Sequence, residues 1–99
     1  MSVRVRIPAA LRSVTDGQAE VSVAAESVAS CLDALESRFP ELRRRLRDER
    51  GDLRRFVNLF VNGEDVRFLG GLETRLKAGD EVSIIPAVAG GARPGPNAA

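Results

Sequence analysis

Ninety-nine residues support one small domain with a modest core, and are too few to enclose a large active-site cavity. An apolar fraction of 43% with 29% charged residues is that of an ordinary globular chain, and no apolar run approaches the ~20 residues of a bilayer-spanning helix. There is no histidine, Cys31 is the only cysteine and the net charge is +1, which excludes an internal disulfide framework, a zinc site, a Ser-His or Cys-His nucleophile and any global pull toward nucleic acid or membrane.

Val3, Val5 and Ile7 alternate with Ser2, Arg4 and Arg6, the period-two pattern of a half-buried strand. The same alternation rules out a signal peptide, so a cytoplasmic protein is expected. Pro8 ends the strand. Thr15-Asp16-Gly17 is a turn signal, and Val21 and Val23 alternate again over 19–24, so residues 2–24 read as a hairpin with a long loop.

Ser27 offers a helix N-cap, and Val28, Cys31, Leu32, Leu35 and Phe39 follow at helical spacing on one face. Asp33, Glu36, Ser37 and Arg38 fall on the other side. The spacing predicts the main amphipathic helix over 28–38, closed by Pro40. Cys31, on the apolar face, is expected to be a small buried hydrophobe.

Residues 41–55 hold Leu42 and Leu46, enough for one short helix, and a break at Arg50-Gly51-Asp52. Seven arginines crowd this segment, but Glu41, Asp48, Glu49 and Asp52 interrupt them, and no aromatic residue is interleaved for base stacking. A solvated face or a contact for an acidic partner fits better than a nucleic-acid site.

Val57, Leu59 and Val61 alternate with Phe56, Asn58, Phe60 and Asn62 in the clearest strand. The aliphatic set is assigned to the core, which leaves Phe56 and Phe60 on the open face of a sheet. Asn62-Gly63 signals a hairpin turn, with Val66-Arg67-Phe68 expected as the returning strand. Gly70-Gly71 turns into a single helical turn over 72–76 that packs Leu72 and Leu76. After a turn at 77–80, residues 81–86 form the last strand, with Val82 and Ile84 inward and Ser83 and Ile85 outward.

Ile84-Ile85-Pro86 leads into Ala87-Val88-Ala89-Gly90-Gly91, a strand that ends in a thin ribbon nearly without side chains. Glycine lacks Cβ, so Gly90-Gly91 can enter a narrow channel in another protein. Beyond Gly91, Ala92–Ala99 has two prolines and no bulky apolar residue, and is expected to be disordered. The folded domain therefore ends close to Pro86, and Gly91 is the last residue of its ribbon.

The element order predicts an α+β sheet covered on one face by a helix. On these residues the chain resembles the ubiquitin-like sulfur carriers of the ThiS/MoaD type, and within them the CysO-type carriers of cysteine biosynthesis. The matching stretches are Arg55-Phe56-Val57-Asn58, Val61-Asn62-Gly63-Glu64-Asp65-Val66-Arg67-Phe68, Gly70-Gly71-Leu72 and Ile85-Pro86-Ala87-Val88-Ala89-Gly90-Gly91. The resemblance implies a β-grasp fold: a mixed sheet with one main helix packed on one face. It makes residues 1–91 the carrier domain. The chain departs from the family pattern in that Gly91 is not terminal, so residues 92–99 are expected to be removed by proteolysis before activation.

The resemblance further implies a protein-borne sulfur donor, not an enzyme. Gly91 would carry sulfur as a thiocarboxylate, while Gly90, Ala89 and Val88 supply the flexible approach. No cofactor or metal is expected on the chain itself. The implied partners are a MoeB/ThiF-like adenylating enzyme that uses ATP, a pyridoxal-phosphate-dependent cysteine synthase and a JAMM-type metalloprotease. Phe56, Phe60 and Ile85 are the expected partner-binding patch. Sulfur delivery to a molybdopterin, thiamin or secondary-metabolite precursor stays open as an alternative. So does a ubiquitin-like conjugation or interaction module.

Overall fold

A computed structural model of the chain describes residues 2–86, so Ala87 to Gly91 and the segment 92–99 lie outside the described residues. Strand β1 (Val3–Arg6) and strand β2 (Glu20–Val23) pair antiparallel, with Val3 opposite Val23 and Val5 opposite Val21. Each strand buries every second residue, as the alternation requires. The connecting loop is more ordered than a plain turn: Ala9–Val14 form a 3-10 helix that buries Leu11. Thr15, fully buried, satisfies its hydroxyl on the carbonyls of Arg12 and Gln18, and Gly17 takes the positive φ (78°) its place in the turn demands.

Helix α1 (Val28–Arg38) starts where the cap signal stands. Ser27 Oγ accepts from the backbone N–H of Ser30 at 3.1 Å, and Ser30 Oγ accepts from that of Ser27 at 3.0 Å, a reciprocal capping box. Val28, Cys31, Leu32 and Leu35 are fully buried. Full burial of one such aliphatic side chain contributes about 1.5–3 kcal/mol, so this face alone anchors the helix. Pro40 ends α1 and opens helix α2 (Glu41–Leu46), which buries Leu42 and Leu46.

Strand β3 (Val57–Val61) turns through Asn62 and Gly63, at φ 51° and 89°, into strand β4 (Glu64–Asp65). Two consecutive left-handed residues make the tight hairpin turn that Asn-Gly favours. The returning strand is only two residues long. Val66–Phe68, expected as strand, is instead a 3-10 turn. Asp65 ends the strand by accepting a hydrogen bond from the Arg67 backbone N–H at 2.9 Å, and Val66 is drawn into the core. A second 3-10 turn, Gly71–Glu73, lies earlier than the expected 72–76; Leu76 is buried, while Leu72 is only partly so.

Strand β5 (Glu81–Pro86) occupies the centre of a five-stranded sheet of order β2-β1-β5-β3-β4. It runs parallel to β1 and antiparallel to β3, so the sheet is mixed. The core lies between the inner face of this sheet and helices α1 and α2. Cys31 is fully buried there, and burial pushes its thiol up to about 12, which leaves it inert as a nucleophile.

One sequence-level assignment to the solvated side is overturned. Glu36 and Arg47 are both buried, joined by Arg47 Nε donating to Glu36 Oε2 at 3.0 Å. Glu36 continues the Val28–Leu32 row at four-residue spacing, so it lies at the edge of the apolar face. That spacing was the signal for it; no local pattern distinguishes Arg47 from its six neighbouring arginines.

Candidate functional site

The face of the sheet away from α1 is uncovered among the described residues. Alternation puts Arg4, Arg6, Glu81, Ser83, Ile85, Asn58 and Phe60 on it. Its β1 side is polar and internally paired: Arg6 Nη1 lies 3.3 Å from Glu81 Oε2 and Arg4 Nη1 3.8 Å from Glu20 Oε2. Exposed pairs of this kind contribute little stability, but they leave that half of the face without free charge. The β3–β5 half is different. Ile85 stands opposite Asn58 and Phe60 opposite Ser83, so Phe60 and Ile85 are diagonal neighbours on one face. Ile85 is 47% exposed, and Phe60 is half-buried.

Phe56 stands just before β3, in a turn closed by the Val57 N–H on the Arg54 carbonyl at 3.0 Å. It is 49% exposed and does not tuck under the arginine-rich segment. The register thus joins Phe60 and Ile85, while Phe56 sits at the entrance of the strand. Pro86, paired with Val57, ends β5 directly after Ile85, so the described chain ends beside this apolar surface. Gly91, Gly90, Ala89 and Val88 themselves fall outside the described residues.

Asn62 ties the β3–β4 turn to the start of β5. Its Nδ2 donates to Asp80 Oδ1 at 3.0 Å, and its Oδ1 accepts from the Glu81 backbone N–H at 3.0 Å. Asp80 also accepts from the Lys77 N–H at 2.8 Å, and these two hydrogen bonds, the backbone one first, hold its carboxyl below the usual range. Among the described residues no group of His, Cys, Asp and Glu could hold a metal ion, and no helix is long and apolar enough to cross a membrane. The cavity of about 410 Å³ at the start of α1 is lined by Ser27 and Ser30, whose hydroxyls are committed to capping. Among the described residues Phe68 is the most exposed large apolar side chain, at 86%, with Leu69 at 42%; both stand out because Phe68 lies in a 3-10 turn and not in the expected strand.

The sequence model of the ThiS family matches residues 5–91. The chain belongs to the ThiS family. This ThiS-family chain is 47% identical over 93 residues to the sulfur carrier protein CysO of Mycobacterium tuberculosis, a match that covers 92% of this chain and 100% of the relative. A crystal structure of the Amycolatopsis orientalis BexX/CysO complex matches it at a TM-score of 0.83 and 47% identity, over 90% of this chain and 99% of the other. The solution structure of small archaeal modifier protein 1 from Methanosarcina acetivorans matches at 0.79 and 35% identity, over 91% and 96%. The fold is therefore the ubiquitin-like β-grasp of these carriers. As a ThiS-family member of CysO type, the chain is a sulfur carrier rather than an enzyme.

Proposed function

We propose that this carrier, acting in the cytoplasm, delivers sulfur as a thiocarboxylate on Gly91 after residues 92–99 have been removed. The observation that carries the reading is similarity to a CysO sulfur carrier over 92% of this chain and all of the relative, with the family match running to residue 91. The chain continues to Ala99, so the Gly91 carbonyl stands in a peptide bond and has no carboxylate to activate. Hydrolysis of the Gly91–Ala92 bond, by a JAMM-type metalloprotease, supplies one. Residues 1–91 are then the working carrier.

A carboxylate is a poor electrophile. In this reading a MoeB/ThiF-like partner lets the Gly91 carboxylate attack the α-phosphorus of ATP with loss of pyrophosphate. The resulting mixed anhydride has AMP as a good leaving group, and a sulfur nucleophile displaces it. Gly90, Ala89 and Val88 pass the reacting end into the partner's site, and Phe56, Phe60 and Ile85 dock the domain outside it. Cysteine biosynthesis, through a pyridoxal-phosphate-dependent synthase, is the favoured destination because of the CysO likeness. A molybdopterin, thiamin or secondary-metabolite precursor is the alternative acceptor.

The likeness to small archaeal modifier protein 1 favours a second reading, conjugation of the processed Gly91 to lysines of other proteins. Intact-mass analysis of the protein from its own host separates the two. A species ending at Gly91, with one carboxyl oxygen replaced by sulfur, supports the carrier reading. Isopeptide-linked ladders without a thiocarboxylate support conjugation, and full-length chain alone in the presence of the partners refutes both.

A further inference from the structure

A small cleft opens at the β4 edge of the sheet, between residues 53–55 and 65–67. It holds about 150 Å³, below the ~300 Å³ at which small-molecule sites begin. That is room for one side chain, not for a cofactor. Leu53, partly buried, offers the accessible apolar wall, and the buried core residues Val57, Leu59 and Val66 close the cleft beneath it. Val57 and Leu59 point to the inner side of the sheet, while Asn58, from the open face, completes the lining at the β3 edge; Phe60 and Ile85 are not among the lining residues.

The rim is cationic. Arg54, Arg55 and Arg67 line it with Asp65 as the lone carboxylate, and Asp65 is already held by Arg67 at 2.9 Å. Arg54 Nε donates to the Arg44 carbonyl at 2.7 Å, which fixes the side chain without neutralising it. Among the described residues neither Arg54 nor Arg55 has an ion-pair partner. Three guanidiniums against one carboxylate is a local excess of positive charge in a chain whose net charge is only +1. Directly after Arg67, Phe68 and Leu69 extend the surface with exposed apolar area.

We propose that this cleft is a second docking site, which takes an aliphatic side chain of a partner protein from a segment flanked by Asp or Glu. The apolar walls reject a phosphate as the inserted group, and no aromatic residue lines the cleft to stack a base. The rim guanidiniums match carboxylates in paired geometry. Because Phe60 and Ile85 do not line the cleft, a side chain seated there leaves both accessible to another partner. A carrier passed between proteins could then be held by one while presented to the next.

The test is a backbone-amide NMR titration of the full chain with a short peptide carrying one leucine flanked by glutamates. The amides of 53–55 and 65–67 should shift with glutamate flanks and stay still with lysine flanks. Added salt should weaken the binding, and Arg55→Gln with Arg67→Gln should raise Kd by about tenfold or more. Arg55→Gln alone, at an exposed residue, should weaken binding without altering the fold. No shift at saturating peptide, or shifts confined to β3 and β5 open-face residues, would overturn the assignment. An equal response to a thymidine oligonucleotide would also overturn it, by making the site a general polyanion patch.

Discussion

Arg47 Nε meets Glu36 Oε2 at 3.0 Å between two buried side chains, where the residue that ends α2 folds back onto α1. The same guanidinium reaches Asp33 Oδ1 through Nη2 at 2.9 Å, and Arg43 approaches Glu36 Oε1 at 3.6 Å. Burial raises the Glu36 carboxyl and Arg47 opposes that rise, so the pair is a costly joint held by mutual neutralisation. Arg47→Met should destabilise the domain by about 3 kcal/mol, because it leaves the buried Glu36 carboxylate with only the longer contact to the exposed Arg43. Glu36→Leu combined with Arg47→Met should recover most of that loss. Chemical denaturation of the three proteins checks it, and a double variant as unstable as the single one would show that the pair is not the joint.

The open face carries the next prediction. Phe56 is half exposed, so Phe56→Asp should change stability by no more than about 0.5 kcal/mol. Phe60 is half-buried, and Phe60→Asp should cost on the order of 1 kcal/mol yet leave a cooperative fold. Both should weaken binding to the proposed adenylating partner by about tenfold or more, as loss of an aromatic anchor does. If Phe60→Asp unfolds the chain while Phe56→Asp binds normally, the patch is misassigned.

At the start of α1 the capping box predicts a modest, local effect. Ser27→Ala removes the acceptor for the Ser30 N–H and should cost about 1 kcal/mol. Hydrogen exchange should speed up at the first turn of α1 and not in β3 or β5. Uniform acceleration would mean that the cap acts through the whole fold.

Asp80 sets an acid-side dependence. Its native carboxyl is held below the ordinary value by the Lys77 N–H and then by Asn62. The native state therefore binds the proton less readily than the unfolded chain does. The resulting stabilisation is complete above the unfolded value of about 3.9, and it is lost as pH falls through the lower native value. Asp65 and Glu41, depressed chiefly by side-chain hydrogen bonds from Arg67 and Arg44, lean the same way. Asp80→Asn should flatten the fall in stability between pH 5 and pH 2, by about one titrating group. An unchanged slope would sink this account.

The last prediction concerns the ribbon. A Gly91→Pro chain should resist both trimming and thiocarboxylate formation in its host, because proline cannot follow glycine's backbone path. Intact-mass analysis reads both steps, and a thiocarboxylated variant would remove Gly91 from its proposed role.

Local patterns along the chain determined much of this protein. Helix α1 runs from Val28 to Arg38 because cap, apolar spacing and proline stop agree there. The alternation in β1, β3 and β5 likewise assigned Val5, Leu59 and Ile84 to the core, since strand side chains must point to opposite faces. The Asn62-Gly63 turn needed only its two residues. What the tertiary structure alone decided depends on partners distant in sequence. Val66 leaves the strand because Asp65 caps a turn over a core that only the folded sheet provides. Arg47 is buried because Glu36 and Asp33, more than ten residues earlier, neutralise it. Phe60 and Ile85 are neighbours through the β3–β5 register, and the arginines of 54–55 and 67 share one cleft through the β3–β4 hairpin. Periodicity reports which side of an element is apolar; only packing specifies what that side meets.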